Sequence, residues 1–167
     1  MTDENMDKKV SLQNILKGYG FEDKYLYLLD VVPLIEIAWA DGIIQVGELG
    51  LIKEFIVKHI ENINKGAGVS VISRDEGVEF IERFTVKRPD PELMKVLRSM
   101  VVPLRLQSAE ASKNTEQKLN ILKFCMDIAA SSVIEYPYGS HERFCDDEKA
   151  IFLEIMKNLG ISPTKIV

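Results

Sequence analysis

The sequence of 167 residues has few cysteines and no long apolar run, and each absence excludes a class of protein. Its cysteines, Cys125 and Cys145, form no Cys-x-x-Cys motif, so neither a disulfide framework nor a zinc ribbon is indicated. No apolar stretch approaches the roughly 18 residues that a transmembrane helix needs. The polar, acidic start lacks the basic and apolar regions of a secretory signal. We therefore expect a cytoplasmic protein.

Basic residues are also fewer than acidic ones. The 26 acidic residues outnumber the 21 basic ones, which gives a net charge of −5. Because nucleic-acid-binding proteins carry a basic footprint, we expect no nucleic acid among the partners. The sequence also lacks a phosphate-binding loop, a Gly-x-Gly-x-x-Gly motif and a nucleophile elbow. Nothing in these patterns indicates an enzyme.

What the sequence does have is an apolar period of about 3.6 residues along nearly its whole length, which is typical of amphipathic helices. Residues 1–10 have little apolar surface to bury, so we predict a flexible N-terminal tail and a single helical domain over 11–167. The fold class is predicted to be all-α, a compact bundle of seven or eight helices. The predicted helices are 11–18, 24–32, 34–41, 46–62, 74–86, 91–106, 114–133 and 146–159.

Local signals fix several of these helix boundaries. Ser73 and Glu76 form a capping box at the start of one helix. Asp90 followed by Pro91 is typical of another helix start. Pro103 lies within an apolar helical pattern and must kink or break that helix, because proline has no backbone N–H to donate.

The chain contains a weak internal repeat at an offset of 100 residues. The apolar stripe of helix 46–62 recurs in helix 146–159, and Glu48 falls on Glu148. Amphipathic helices resemble each other by default, so the pattern is compatible with a true duplication, giving a pseudo-twofold fold, and with coincidence.

Residues 37–48, Ile-Ala-Trp-Ala-Asp-Gly-Ile-Ile-Gln-Val-Gly-Glu, join two predicted helices through Asp-Gly and place a glutamate at the start of the second. This segment resembles the TerB-like family of tellurite-resistance proteins. The resemblance implies an all-helical domain from a bacterial stress-response or metal-resistance system. It also implies divalent-metal binding and protein assembly rather than catalysis.

The resemblance implies that Asp41, Glu48 and Glu148 are metal ligands, and neighbouring Asp147 adds carboxylate charge if the two half-motifs pack together. Calcium or magnesium is the expected cation, because such ions prefer several oxygen ligands. The alternative is that these acids only cap helices, with Glu48 as an N3 glutamate. The second half-motif also departs from the pattern, since Ser131 and Ser132 stand where Asp41 should recur.

Two other segments are candidate partner-binding surfaces. Residues 83–105 hold six basic residues against two acidic ones, a local charge of +4, and would dock to an acidic protein of a stress-response assembly or to an anionic membrane surface. The loop 136–143 contributes Tyr136 and Tyr138, and exposed aromatics are common at interfaces. For both segments the alternative is a plain solvated surface, which is what such segments usually form. The basic candidates are Arg83, Lys87, Arg88, Lys95 and Arg98. A metal-free protein-interaction module is therefore the alternative function.

Overall fold

The computed structural model describes residues 3–40, 42–131 and 146–161, with side chains described over 6–40, 42–130 and 146–161. These residues form eight α-helices and one 3₁₀ helix, and no strand occurs among them. The prediction of an all-α fold is confirmed. The helices are α1 (Asp3–Gly18), the 3₁₀ helix (Asp23–Val31), α2 (Val32–Trp39), α3 (Val46–Ala67), α4 (Arg74–Thr85), α5 (Pro91–Ser99), α6 (Val101–Arg105), α7 (Ala111–Ser131) and α8 (Asp146–Asn158).

Helix α1 starts earlier than the sequence predicts. Residues 3–10, expected to belong to a flexible tail, are helical. Leu12 and Leu16 are buried and anchor the second half of α1 in the core. Once that half is fixed, each further helical residue adds a backbone hydrogen bond at small cost, so the polar residues before it continue the helix.

The predicted starts of α4 and α5 are confirmed by their caps. Ser73 Oγ accepts from the Glu76 N–H at 3.1 Å, and Glu76 Oε1 accepts from the Ser73 N–H at 3.0 Å. Asp90 Oδ1 accepts from the Glu92 N–H at 3.0 Å. The helix predicted over 91–106 is divided into α5 and α6 at Met100, because Pro103 cannot donate to the Ser99 carbonyl.

Helix α2 lies at the centre of the molecule. All its residues from Val32 to Ala38 are buried, and it contacts α3, α4, α5, α7, α8 and the 3₁₀ helix. A helix that is apolar all round is expected to be enclosed on every side. Glu36 is its one charged residue, and it is buried with the others. The burial of α2 therefore places a carboxylate in the core.

Helices α3 and α4 approach each other closely at Gly77. A Cβ atom built on Gly77 would overlap Cδ1 of Ile60, which is itself buried. The absence of a side chain at this position therefore sets the spacing of the two helices.

Candidate functional site

The predicted metal ligands lie at the starts of α3 and α8. Glu48 and Glu148 are each the third residue of their helix, and they are 1% and 3% exposed. Glu48 Oε1 accepts from the Gln45 N–H at 2.8 Å, so Glu48 has the capping role that was the alternative interpretation. Asp147 is exposed. Asp41 lies outside the described residues, so this set is described only in part.

A metal centre is not assembled by the described residues alone. Among residues 3–40, 42–131 and 146–161, no three His, Cys, Asp or Glu side chains lie together as metal ligands would. Divalent-cation binding stays a prediction.

Four residues of the basic segment are exposed: Arg83, Lys87, Arg88 and Lys95. Arg83 Nη2 donates to the Tyr19 carbonyl at 2.9 Å, and Lys95 Nζ lies 3.6 Å from Glu92. Tyr136 and Tyr138, the aromatic candidates, lie outside the described residues.

The expectation that Arg98 belongs to an exposed stripe is wrong, because Arg98 is only 5% exposed. It shares the buried face of α5 with Met94 and Leu97, at the i, i+3, i+4 spacing of one helix face. Its Nη1 donates to Glu36 Oε2 at 2.9 Å, and its Nη2 to Glu154 Oε2 at 3.2 Å. Arg98 is thus a core cation held by two carboxylates.

A cavity of about 250 Å³ lies between α2, α5 and α8, and we call it the α2/α5/α8 cavity. It brings together three sequence-predicted site residues, Arg88 and Lys95 of the basic segment and Asp147 of α8, with the buried Glu36. Its remaining lining is Trp39, Ala40, Pro89, Pro91, Met94, Ala150 and Ile151.

Glu36 is the most perturbed acid of this cavity. Its Oε2 is bound by Arg98, whereas its Oε1 and the Arg98 Nε have no hydrogen-bond partner among the described residues. Burial raises the pKa of Glu36 to about 8, in spite of the attraction of Arg98. Two carboxylates, Glu36 and Glu154, share the Arg98 guanidinium, and Lys95 adds a weaker attraction to Glu36.

A larger groove of about 980 Å³ lies between α3 and α7. Asp30 and Arg105 form an ion pair in its lining, with His59 Nε2 2.8 Å from the Tyr27 carbonyl oxygen and 3.7 Å from Asp30 Oδ2. His59 stacks on Phe55 with ring centroids 5.5 Å apart, as a half-buried packing histidine should. The polar groups of Asp30, His59 and Arg105 in this groove are therefore already paired within the protein.

The connections α2–α3 and α4–α5 lie side by side. Trp39 Nε1 donates to the Phe84 carbonyl at 2.8 Å, and a Cβ built on Gly42 would be 3.8 Å from Arg88 Nη1. Strongly exposed aliphatic residues lie in or next to these connections, namely Ile43 (69%), Val86 (82%) and Val46, the first residue of α3 (90%). We define the loop surface as Ile43, Val46, Val86, Lys87 and Arg88.

Sequence reasoning missed Asp30 and Glu36, the two buried acids that pair with arginines. Each interrupts an apolar run, Leu-Leu-Asp-Val-Val and Leu-Ile-Glu-Ile-Ala. A single acid within the most apolar stretches of a helical protein needs a cationic partner when buried. That pattern was the available signal, although it does not identify the partner.

Comparison with protein-family models, with curated proteins and with solved structures finds no match to this chain. The resemblance to TerB-like proteins therefore depends on residues 37–48. Within the described ranges, no helix has the length and apolar character needed to cross a bilayer.

Proposed function

We propose that this chain is a non-catalytic helical module that binds an acidic, partly apolar segment of another protein through the loop surface. One observation carries the proposal. The Trp39–Phe84 hydrogen bond holds the end of α2 against the end of α4, and the residues that follow these two ends expose Ile43, Val46 and Val86 beside two cations. We further propose that it acts in the cytoplasm.

The aliphatic part of the loop surface supplies the affinity in this proposal. Single exposed aliphatic residues are common on protein surfaces, but grouped ones mark interaction sites. Full burial of a valine or isoleucine side chain stabilises by about 1.5–3 kcal/mol. Val46 and Val86 are almost fully exposed, so nearly all of that stabilisation is available to a partner.

The cations of the loop surface select the partner. The net charge of the chain is −5, whereas the exposed Lys87 and Arg88 make this part of its surface locally positive. Complementary charge steers association and rejects partners of the same sign. An acidic segment with apolar side chains matches both properties of the surface.

The resemblance of residues 37–48 to TerB-like proteins supports a partner within a bacterial stress-response assembly. Ile43 belongs to that segment, and Val46 is two residues before its last glutamate. The loop surface and the segment of resemblance therefore overlap.

Site-specific photo-crosslinking in cells tests the proposal. A photoreactive amino acid at position 86 should capture one partner through an acidic, apolar segment, and the same amino acid at Leu153, an exposed residue of α8, should not. With that partner purified, Val46→Glu and Lys87→Glu should each weaken binding at least tenfold, and added salt should weaken it further. Equal capture at both positions, a basic segment or a second copy of this chain would overturn the proposal.

Divalent-cation binding through Asp41, Glu48, Asp147 and Glu148 is the second candidate. It is favoured by the α2/α5/α8 cavity, because Asp147 and Ala40, the residue before Asp41, both line it. Calorimetric titration with calcium and with magnesium tests it. Binding heat that disappears in Asp41→Asn and Glu48→Gln, but persists in the exposed-acid variant Glu61→Gln, is expected, and absence of heat with both cations would overturn it.

A further inference from the structure

The α2/α5/α8 cavity has apolar walls that are held in place. Trp39 lines it, and the Trp39 ring is fixed by the hydrogen bond from Nε1 to the Phe84 carbonyl at 2.8 Å. Pro89 and Pro91 also line it, and the ring of a proline fixes its own backbone φ. Walls of this kind need little further ordering when a ligand binds, so the cavity is preformed.

The size of the cavity matches one large side chain. Its volume is about 250 Å³. An apolar cavity of about 150 Å³ holds benzene, whereas most drug-sized ligands occupy roughly 300–1,000 Å³. Glu36 also lines the cavity, but its side chain is 6% exposed and bound by Arg98, so it offers an occupant little polar surface. A small aliphatic side chain would leave space empty and lose contacts with the walls, so the size favours an aromatic one.

The cavity continues from the loop surface along two stretches of the chain. Residues 86–88 belong to the loop surface, and Arg88 and Pro89 line the cavity. Ala40 also lines the cavity, three residues before Ile43 of the loop surface. A partner segment that crosses the loop surface can therefore place one of its side chains in the cavity.

Arg88 gives the edge of the cavity a positive charge. It is exposed and forms no hydrogen bond or ion pair with another described residue. Lys95 is the second cation of the lining, but it lies 3.6 Å from Glu92 and also attracts Glu36. These two cations outnumber Asp147, the one exposed acid of the described lining. Arg88 is therefore the cation best placed to pair with an acid of the partner.

We propose that the α2/α5/α8 cavity is the specificity pocket of this binding surface and takes one aromatic side chain of the partner's acidic segment. An aspartate or glutamate close to that aromatic residue pairs with Arg88. Aromatic side chains that fill such pockets carry much of the binding energy at interfaces. This inference rests on the proposed function, since the loop surface binds the segment that carries the aromatic residue.

Selection of random peptides, displayed on phage, against the full chain tests the pocket before the natural partner is known. Enriched peptides should share one aromatic residue with aspartate or glutamate nearby. Trp39 is the sole tryptophan of the sequence and lines the cavity, so a synthetic peptide of this type without tryptophan should change its fluorescence. Replacing the aromatic residue of the peptide by alanine should weaken binding at least tenfold and abolish that change.

Variants of the cavity wall separate the pocket from the surface around it. Ala150→Phe adds a ring at an exposed position of the lining and should weaken peptide binding at least tenfold. Leu153→Phe is the matched control, since Leu153 is exposed on the same helix outside the cavity, and it should leave the affinity unchanged. Ile151→Phe fills the cavity from the next position if Ala150→Phe fails to fold. Arg88→Gln should weaken binding and reduce its dependence on salt.

Three outcomes would overturn the pocket: no enriched peptide, enriched peptides that share no aromatic residue, or unchanged affinity in the folded cavity-filling variants. Failure of the proposed function gives a different result. If Val46→Glu leaves peptide binding unchanged while Ala150→Phe abolishes it, the loop surface is rejected and the cavity binds aromatic segments by itself. If Val46→Glu abolishes binding while Ala150→Phe does not, the loop surface is retained and the pocket is rejected.

Discussion

Arg105 Nε lies 2.9 Å from Oδ1 of Asp30, a residue 75 positions earlier in the chain. The guanidinium is also 5.1 Å from the centroid of the Tyr27 ring, so it contacts both the Asp30 carboxylate and an aromatic face. Asp30 belongs to the 3₁₀ helix and Arg105 ends α6. Their pairing ties these two elements together beneath the α3/α7 groove.

Removing the Arg105 guanidinium should be costly. Arg105→Met leaves the Asp30 carboxylate, 3% exposed, without its cation, and we expect the free energy of unfolding in urea to fall by about 3 kcal/mol or more. The double variant Asp30→Asn with Arg105→Met should recover part of that loss. Arg74→Met is the matched control, since Arg74 pairs with Glu61 at 3.9 Å on the surface and should lose less than about 1 kcal/mol. A double variant as unstable as the sum of its single variants would contradict this account.

The pH dependence of stability should report the burial of Glu36. Its carboxyl ionises near its ordinary value of 4.5 in the unfolded chain, whereas in the folded protein its pKa is about 8. Between these values the folded state binds more protons, so the Glu36 contribution to the free energy of unfolding decreases as pH rises.

Glu36→Gln removes this titration. The variant should match the parent protein near pH 4 and become progressively more stable than it towards pH 8, by up to a few kcal/mol, because one pKa unit corresponds to about 1.4 kcal/mol. Urea unfolding across this pH range measures the difference. Glu61→Gln, at an exposed acid, should show no such trend, and a Glu36→Gln curve parallel to that of the parent would contradict the raised pKa.

The Cys125 thiol should not react with thiol reagents in the native protein. It is fully buried, and burial raises the pKa of its thiol, so neither access nor the thiolate needed for reaction is available. In a Cys145→Ser background, the reaction of Cys125 with an aromatic disulfide reagent should be negligible without urea and should follow the unfolding transition. Rapid labelling under native conditions would show that α7 opens far below the global transition.

Loss of the α4 cap should have a modest effect. Ser73→Ala removes the oxygen that accepts from the Glu76 N–H and should lower the free energy of unfolding by about 1 kcal/mol. Ser70→Ala, at an exposed position just before the cap, is the control and should be within about 0.5 kcal/mol of the parent. Equal effects of the two changes would mean that the cap does not stabilise α4.

The features that could be predicted from the sequence are those with local causes. Ser73 and Asp90 mark helix starts through hydrogen bonds to residues two or three positions later, so their patterns are complete within the sequence. The predicted helix 46–62 is five residues shorter at its C-terminal end than α3. The helix continues to Ala67 and stops where Gly68 adopts a left-handed φ of 72°.

The buried ion pairs could not be predicted because their causes are distant. The charge of Arg98 and its basic neighbours predict a surface position, whereas Glu36, 62 positions away, makes its burial possible. Local spacing does place Arg98 on the same face as Met94 and Leu97, but a helical pattern does not reveal which carboxylate faces it. Both candidate cavities depend on such long-range neighbours.

The close approach of α4 to α3 at Gly77 has an evolutionary consequence. Because a methyl group there would overlap Cδ1 of Ile60, an alanine at position 77 requires this side-chain end to move or a shorter residue to replace Ile60. Gly77→Ala alone should destabilise, and Ile60→Val should relieve part of that loss. In homologous chains, residue size at positions 60 and 77 should therefore covary inversely, a signature that would identify relatives of this fold even where residues 37–48 have diverged.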